Sequence, residues 1–235
     1  MPTEFAHPAQ DMQRKIHLTH YSAGEERINI ASHAAGLLLS VAGLVALVTL
    51  ALRQGDAWHL VSFAIYGASL VLLFAASTAY HGSREPARRA RLRTVDHASI
   101  YLLIAGTYTP ICLFYLPGAW RTALLVTIWA LAAVGITVKL FIINAPRWVT
   151  AGVYLLMGWL GVIAAGEMLS QMPAGALFWL VAGGLFFSVG AVVYITRRPN
   201  PYPGRFGFHE IWHIFVVLGA FSHFVIMAAY IAPLG

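Results

Sequence analysis

Of the 235 residues, 59% are hydrophobic and only 10% are charged, far from the roughly 25% charged of an ordinary soluble domain. This balance excludes a soluble enzyme and predicts an all-α, polytopic membrane protein, because a bilayer core of about 30 Å takes about 20 apolar residues per helix. The formal charge of +6 would suggest nucleic acid in a soluble chain. Here the basic residues lie between apolar runs, where they set topology and meet anionic headgroups, so membrane lipids are the expected partners and nucleic acid is not. The single cysteine, Cys112, lies inside an apolar run, which excludes an intrachain disulfide and leaves His, Asp and Glu as the available metal ligands.

In chain order, residues 1–21 have no clear period and read as a tail or a short surface helix. The first 28 residues contain no apolar core of a signal peptide. Ser22-Ala23-Gly24-Glu25 is a capping-box spacing, which predicts a helix over about 22–52. At 1.5 Å per residue that helix is about 45 Å long, so its first two turns stand out of the membrane. Six further apolar runs follow, at about 59–81, 95–116, 122–143, 149–168, 176–196 and 209–231, giving a seven-transmembrane domain over 22–235. Pro110 predicts a kink in the third span, and Gly158, Gly161, Gly183, Gly184 and Gly190 predict close helix packing.

The connections predict orientation. With the N-terminus inside, the inner segments hold Arg14, Lys15, Arg27, Arg84, Arg88, Arg89, Arg91, Arg93, Arg147, Arg197, Arg198 and Arg205, and the outer ones only Arg53 and Arg121. This asymmetry places the N-terminus in the cytoplasm and the C-terminus outside. The run 84–93 reads as a loop that binds lipid headgroups.

Polar side chains inside a bilayer cost several kcal/mol unless they are paired or face a cavity, so each is a functional candidate. On a helix, His209 and His213 share one face and can reach one metal ion. Ten histidines in 235 residues make one such pair a weak sign by itself. The orientation, fixed from arginines and lysines, adds partners at the same depth: Ser77 and His81 ending the second span, Asp96 starting the third, and Glu26, Asn29 and His33 on one face of the first. Three neutral imidazoles, His81, His209 and His213, with one open position match a catalytic Zn2+ site. Such an ion lowers the pKa of its water to about 7; Asp96 is the expected acid–base group, Ser77 a hydrogen-bond donor, and Glu26, Asn29, His33 and Glu210 supporting residues. A site at headgroup depth suits hydrolysis of a lipid amide or ester. His223, about 15 Å deeper, is too far to join the same ion, and His97, turned about 100° from Asp96, is expected at the interface.

These same residues carry a family resemblance. Glu26-x2-Asn29-x3-His33, Ser77-x3-His81, Asp96-His97-Ala98-Ser99-Ile100-Tyr101 with Ala105-Gly106-Thr107-Tyr108-Thr109-Pro110, and His209-x3-His213 with Ser222-His223-Phe224 resemble the bacterial hemolysin III branch of the progestin and adipoQ receptor family. The resemblance covers about 22–231 and implies a seven-helix membrane fold, zinc on His81, His209 and His213, Ser77 and Asp96 beside it, and a role in membrane lipid or fluidity homeostasis in the bacterial inner membrane. Compared with adiponectin receptors, the chain lacks a long N-terminal domain, so no protein hormone is expected as ligand. It also has Glu210 where glutamine is usual.

Three other functions compete with a lipid hydrolase. A non-enzymatic membrane lipid sensor or regulator would use zinc only to staple helices. An intramembrane metalloprotease would use Glu210 of His209-Glu210-x2-His213 as its base. A pore-forming haemolysin fits poorly with seven lipid-matched spans. The sequence is silent on substrate and oligomeric state.

Overall fold

The computed structural model describes residues 21–54, 56–142 and 144–234. The tail or surface helix expected over 1–21 therefore lies, except for Tyr21, outside the described residues. Among the described residues, seven helices are long and apolar enough to cross a membrane: α1 (Ala23–Gln54), α2 (Ala57–Gly82), α3 (Pro86–Tyr115), α4 (Gly118–Phe141), α5 (Arg147–Gln171), α6 (Ala174–Thr196) and α7 (Phe208–Leu234). No β-strand occurs among the described residues; one isolated antiparallel bridge joins Tyr202 to Phe206 in the connection before α7.

The start of α1 follows its sequence signal. The Glu25 N–H donates to Ser22 Oγ at 3.1 Å, and the Ser22 N–H donates back to Glu25 Oε2 at 2.8 Å, so two backbone donors at the helix end are satisfied reciprocally. The chain packs α1 on α2, α2 on α3, α3 on α4 and α6 on α7, and α1 returns to α7. Large apolar side chains such as Leu38, Leu39, Val126, Phe141 and Leu156 point outward, as a lipid-facing surface requires. The interior instead holds the polar set Asn29, His33, Ser77, His81, Asp96, Lys139, His209 and His213.

Three local expectations are corrected. The helix α3 begins at Pro86 rather than near residue 95, so the arginines at 88, 89, 91 and 93 are helical and not in a loop. Proline at the first helical turn explains the early start, since its missing N–H is unpaired there anyway. Asp96 accordingly lies beyond the first two turns of α3, where the helix dipole cannot account for it. The span over α5 is interrupted by a 3-10 segment at Leu160–Ala164. Tyr108 of α3 serves that break: its hydroxyl lies 2.9 Å from the Gly158 carbonyl and 3.1 Å from that of Met157, and it accepts from the Gly161 N–H at 2.7 Å. Backbone groups freed inside a membrane need such a partner. Finally, a Cβ on Gly158 would meet nothing within 4 Å, whereas Gly161, Gly183, Gly184 and Gly190 do lie against side chains of other helices. α3 continues through Pro110 to Tyr115 without a break.

The bundle end remote from the histidine cluster is held by polar pins. His59 Nε2 lies 3.0 Å from the Ile231 carbonyl, its other nitrogen meets Asp56, Tyr115 donates to the Tyr230 carbonyl at 2.9 Å, and Gln54 donates to that of Ala232. These carbonyls belong to the π-helical and 3-10 turns closing α7, where regular i→i−4 pairing has ended.

Candidate metal centre

At the opposite end, His81 of α2 and His209 and His213 of α7 come together, each buried, with one ligand atom from each lying within 4.8 Å of the others. His209 and His213 are one helical turn apart, so α7 sets their spacing. Its N-terminus is tied by Glu210, whose Oε2 accepts from the Gly207 N–H at 2.7 Å. Among the described residues Glu210 Oε1 is buried without a hydrogen-bond partner.

Hydrogen bonding decides which nitrogen His81 and His213 offer. Glu26 Oε2 lies 2.7 Å from His81 Nδ1; a carboxylate only accepts, so Nδ1 carries the proton and Nε2 holds a lone pair. Arg89 of α3 pairs with the other oxygen of Glu26. Ser32 donates to the Asn29 carbonyl at 3.1 Å, so it accepts from His213 Nδ1 at 3.3 Å. His213 Nε2 is then a buried lone pair, and it has no partner among the described residues. His209 Nε2 stands 3.2 Å from His81 Nε2.

Imidazole nitrogens converging in this way fit a zinc ion. Zn–N bonds of 2.0–2.1 Å in a tetrahedron separate two ligand nitrogens by roughly 3.3–3.4 Å, close to the 3.2 Å found between His81 and His209. The orphaned Nε2 of His213 is a second sign, because a buried nitrogen left unpaired costs stability that a cation would recover. Glu26 holds His81 in the manner of the carboxylate–histidine–metal arrangement.

The remaining expected residues gather around these rings. Ser77, His81, Arg93 and Lys139 all act on the Asp96 carboxylate. His33 stacks on His213, centroids 3.6 Å apart and planes 14° from parallel. Neither nitrogen of His33 and neither polar side-chain atom of Asn29 has a partner among the described residues. His97 borders the cavity described below, and His223, expected too deep to join the same ion, lies against Gly183 and Phe187 and is not one of the three clustered histidines.

Three participants carried no usable sequence signal. Arg89 was one of several arginines, Ser32 one of many small polar residues, and Tyr21 lay in the unpatterned segment. Tyr21 stacks on His209 with centroids 4.5 Å apart, and burial pushes its phenol well above the usual range, so it stays protonated as a donor.

A cavity of about 330 Å³ runs from His33 and Asp96 along α3, α5, α6 and α7 to Met168 and Leu177. Its wall is largely apolar, with Ile104, Leu180, Phe187 and Val216. It meets the cluster through His33 and Asp96 and not at the three imidazoles themselves.

Fold and site together define a multi-pass, seven-helix membrane protein that buries three histidines able to hold a metal ion at one end of an apolar cavity. The family described as Haemolysin-III related matches residues 21–224. The chain is 38% identical over 210 residues to the Hemolysin-3 homolog of Bacillus subtilis (strain 168), covering 89% of this chain and 96% of that protein. It is 36% identical over 211 residues to Hemolysin-3 of Bacillus cereus, with 89% and 93% covered. The human Monocyte to macrophage differentiation factor is 28% identical over 215 residues, with 88% and 84% covered. The Adiponectin receptor protein of Drosophila melanogaster is 34% identical over 146 residues, 55% of this chain and 33% of that protein. The chain belongs to the hemolysin III family, within the progestin and adipoQ receptor superfamily.

Proposed function

We propose that the chain is a zinc-dependent hydrolase of membrane lipid amides or esters that acts in lipid homeostasis. It sits in the bacterial inner membrane with its N-terminus and histidine cluster on the cytoplasmic side and its C-terminus outside. The observation that carries this reading is the convergence of His81, His209 and His213 beside Asp96, at the end of an apolar cavity suited to an acyl chain. Three histidine ligands leave a coordination position open, which favours catalysis over a closed structural site. The excess of basic residues on the connections at the histidine end supports the orientation.

His81, His209 and His213 would hold the ion, His81 and His213 through Nε2. When bound, zinc supplies a Lewis acid that polarises a carbonyl and brings the pKa of a water toward about 7. Glu26 keeps the proton on His81 Nδ1, and Ser32 accepts that of His213 Nδ1. Asp96, on which Ser77 acts, takes the proton of the attacking water and returns it to the leaving group. Apolar walls exclude competing water and align the acyl chain. Glu210 Oε2 accepts from the Gly207 N–H at the start of α7, which weighs against its use as a protease base.

A second reading keeps zinc as a staple between α2 and α7. Tyr21 covers His209 and the imidazoles do not themselves line the cavity, which favours it. Metal analysis and fatty-acid release from N-acyl and O-acyl lipids, measured on purified wild type, His81→Ala and Asp96→Asn, separate the two. The hydrolase reading expects zinc in wild type and Asp96→Asn, none in His81→Ala, and about 100-fold or more loss of turnover in Asp96→Asn. Zinc-loaded wild type that releases no fatty acid, or Asp96→Asn with full activity, leaves only the staple. Zinc retained in His81→Ala undoes the three-histidine site.

A further inference from the structure

Polar groups that border an apolar cavity inside a helix bundle are costly unless they are paired, so those left unpaired mark where an occupant places its own polar atoms. Several on this wall are already engaged. Thr107 donates to the Leu103 carbonyl at 2.8 Å, Tyr154 to the His97 carbonyl at 2.8 Å, and Tyr108 serves the break in α5. Three bordering histidines have buried ring nitrogens without a partner among the described residues: His33 at both nitrogens, His97 at Nδ1 and His223 at Nε2. Nε2 of His223 lies against α6, where a Cβ on Gly183 would come within 2.5 Å of it. Among the described residues only His33 of these three touches a clustered imidazole, stacked on His213 with centroids 3.6 Å apart.

The His33 ring is held from two sides. Its face lies on His213, the Phe74 ring meets it at 5.1 Å and 88°, and the residue is 2% exposed. The backbone of His213 acts on it without reaching hydrogen-bond geometry. Helical spacing suggests Ser77 as the hydrogen-bond donor beside the ion. Ser77 does not border the cavity, however, and acts on Asp96. His33 does border it, one ring away from a metal-binding histidine. A neutral imidazole carries one N–H donor, and the carbonyl of an acyl lipid is an acceptor that has no partner among apolar walls.

We infer that His33 hydrogen-bonds the carbonyl oxygen of a lipid's acyl linkage where the cavity meets the metal centre. This rests on the reading of the cavity as an acyl-chain site. In hydrolysis the same N–H faces the oxygen as it gains negative charge, and a donor already fixed in place stabilises that charge without reorganising. His33 thereby takes the role that spacing suggests for Ser77.

The probe is a long-chain methyl ketone, isotope-labelled at its carbonyl carbon. It has the chain and the acceptor but no leaving group, so binding is read without hydrolysis. Purified full-length protein in neutral detergent is titrated with the ketone and with the hydrocarbon of the same length, following melting temperature and intact-complex mass. Infrared difference spectra record the labelled carbonyl before and after chelation of metal, and zinc content is measured on every sample. Wild type is expected to shift the carbonyl band to lower frequency in both states. His33→Phe keeps a stacked ring but no donor; it abolishes the shift in chelated protein and weakens the ketone about fivefold, with hydrocarbon binding and zinc unchanged. His33→Gln, which keeps an N–H donor, restores part of the shift, and His33→Leu replaces His33→Phe if that variant does not fold. An unshifted band in chelated wild type, or a full shift in the variant without a donor, overturns the inference. Loss of zinc from folded His33→Phe makes the ring a metal ligand and overturns it likewise. If the carbonyl bond is found and no lipid is ever cleaved, His33 keeps its binding role and the hydrolase reading fails.

Discussion

Glu26→Gln tests how the first helix governs the metal centre. In the wild type one carboxylate oxygen accepts from His81 Nδ1 at 2.7 Å and the other pairs with Arg89, so both oxygens act only as acceptors. Glutamine keeps the shape but replaces one acceptor with an NH2 donor. Whichever way the amide turns, a donor then faces either the His81 N–H or the Arg89 guanidinium. The charge that makes His81 a stronger ligand is lost in either case. Removal of such a partner weakens metal binding about 10- to 100-fold, or about 1.4–2.7 kcal/mol. Competition for zinc against a chromophoric chelator, on detergent-solubilised protein with the melting temperature recorded alongside, measures the effect. A Glu26→Gln protein that melts as the wild type and binds zinc within about twofold of it would refute the claim that Glu26 orients His81.

Glu210 is read as a cap, not a base. Glu210→Gln still accepts from the Gly207 N–H and removes a buried charge, so zinc content, lipid turnover and melting temperature are retained; Glu210→Ala loses about 1 kcal/mol of stability. Abolished turnover in a folded, zinc-loaded Glu210→Gln would revive the protease base. Packing is tested at α4: a Cβ on Gly135 would come within 2.3 Å of the buried Tyr101 ring, whereas one on Gly152 meets nothing. Gly135→Ala should cost about 1–3 kcal/mol from overpacking, less up to about 1 kcal/mol of helix propensity, and Gly152→Ala should be neutral or stabilising. Melting temperatures of the two variants in one detergent decide it.

Much of this protein is legible in sequence because the bilayer imposes one rule everywhere: a spanning segment must be helical, apolar and about 20 residues long. That rule alone yields seven helices, and the Ser22–Glu25 spacing marks where the first begins. His209 and His213 could be paired from sequence because they share a helix, where spacing is geometry. Partners on other helices were harder. His81 and Asp96 came within reach only through topology, which brings helix ends to one depth but does not say which rings touch. Arg89 looked like one of a solvated arginine run until α3, starting at Pro86, turned it onto Glu26.

The sequence by itself determined the class, the spans and the histidines available, since hydropathy and helical period are local properties. Only the tertiary structure decided that Glu26 orients His81, that Ser32 frees Nε2 of His213, that Tyr108 serves the break in α5, and that Lys139 is buried. Each depends on the rotation of one helix about its axis against another, and that rotation is set by packing among helices far apart in the chain.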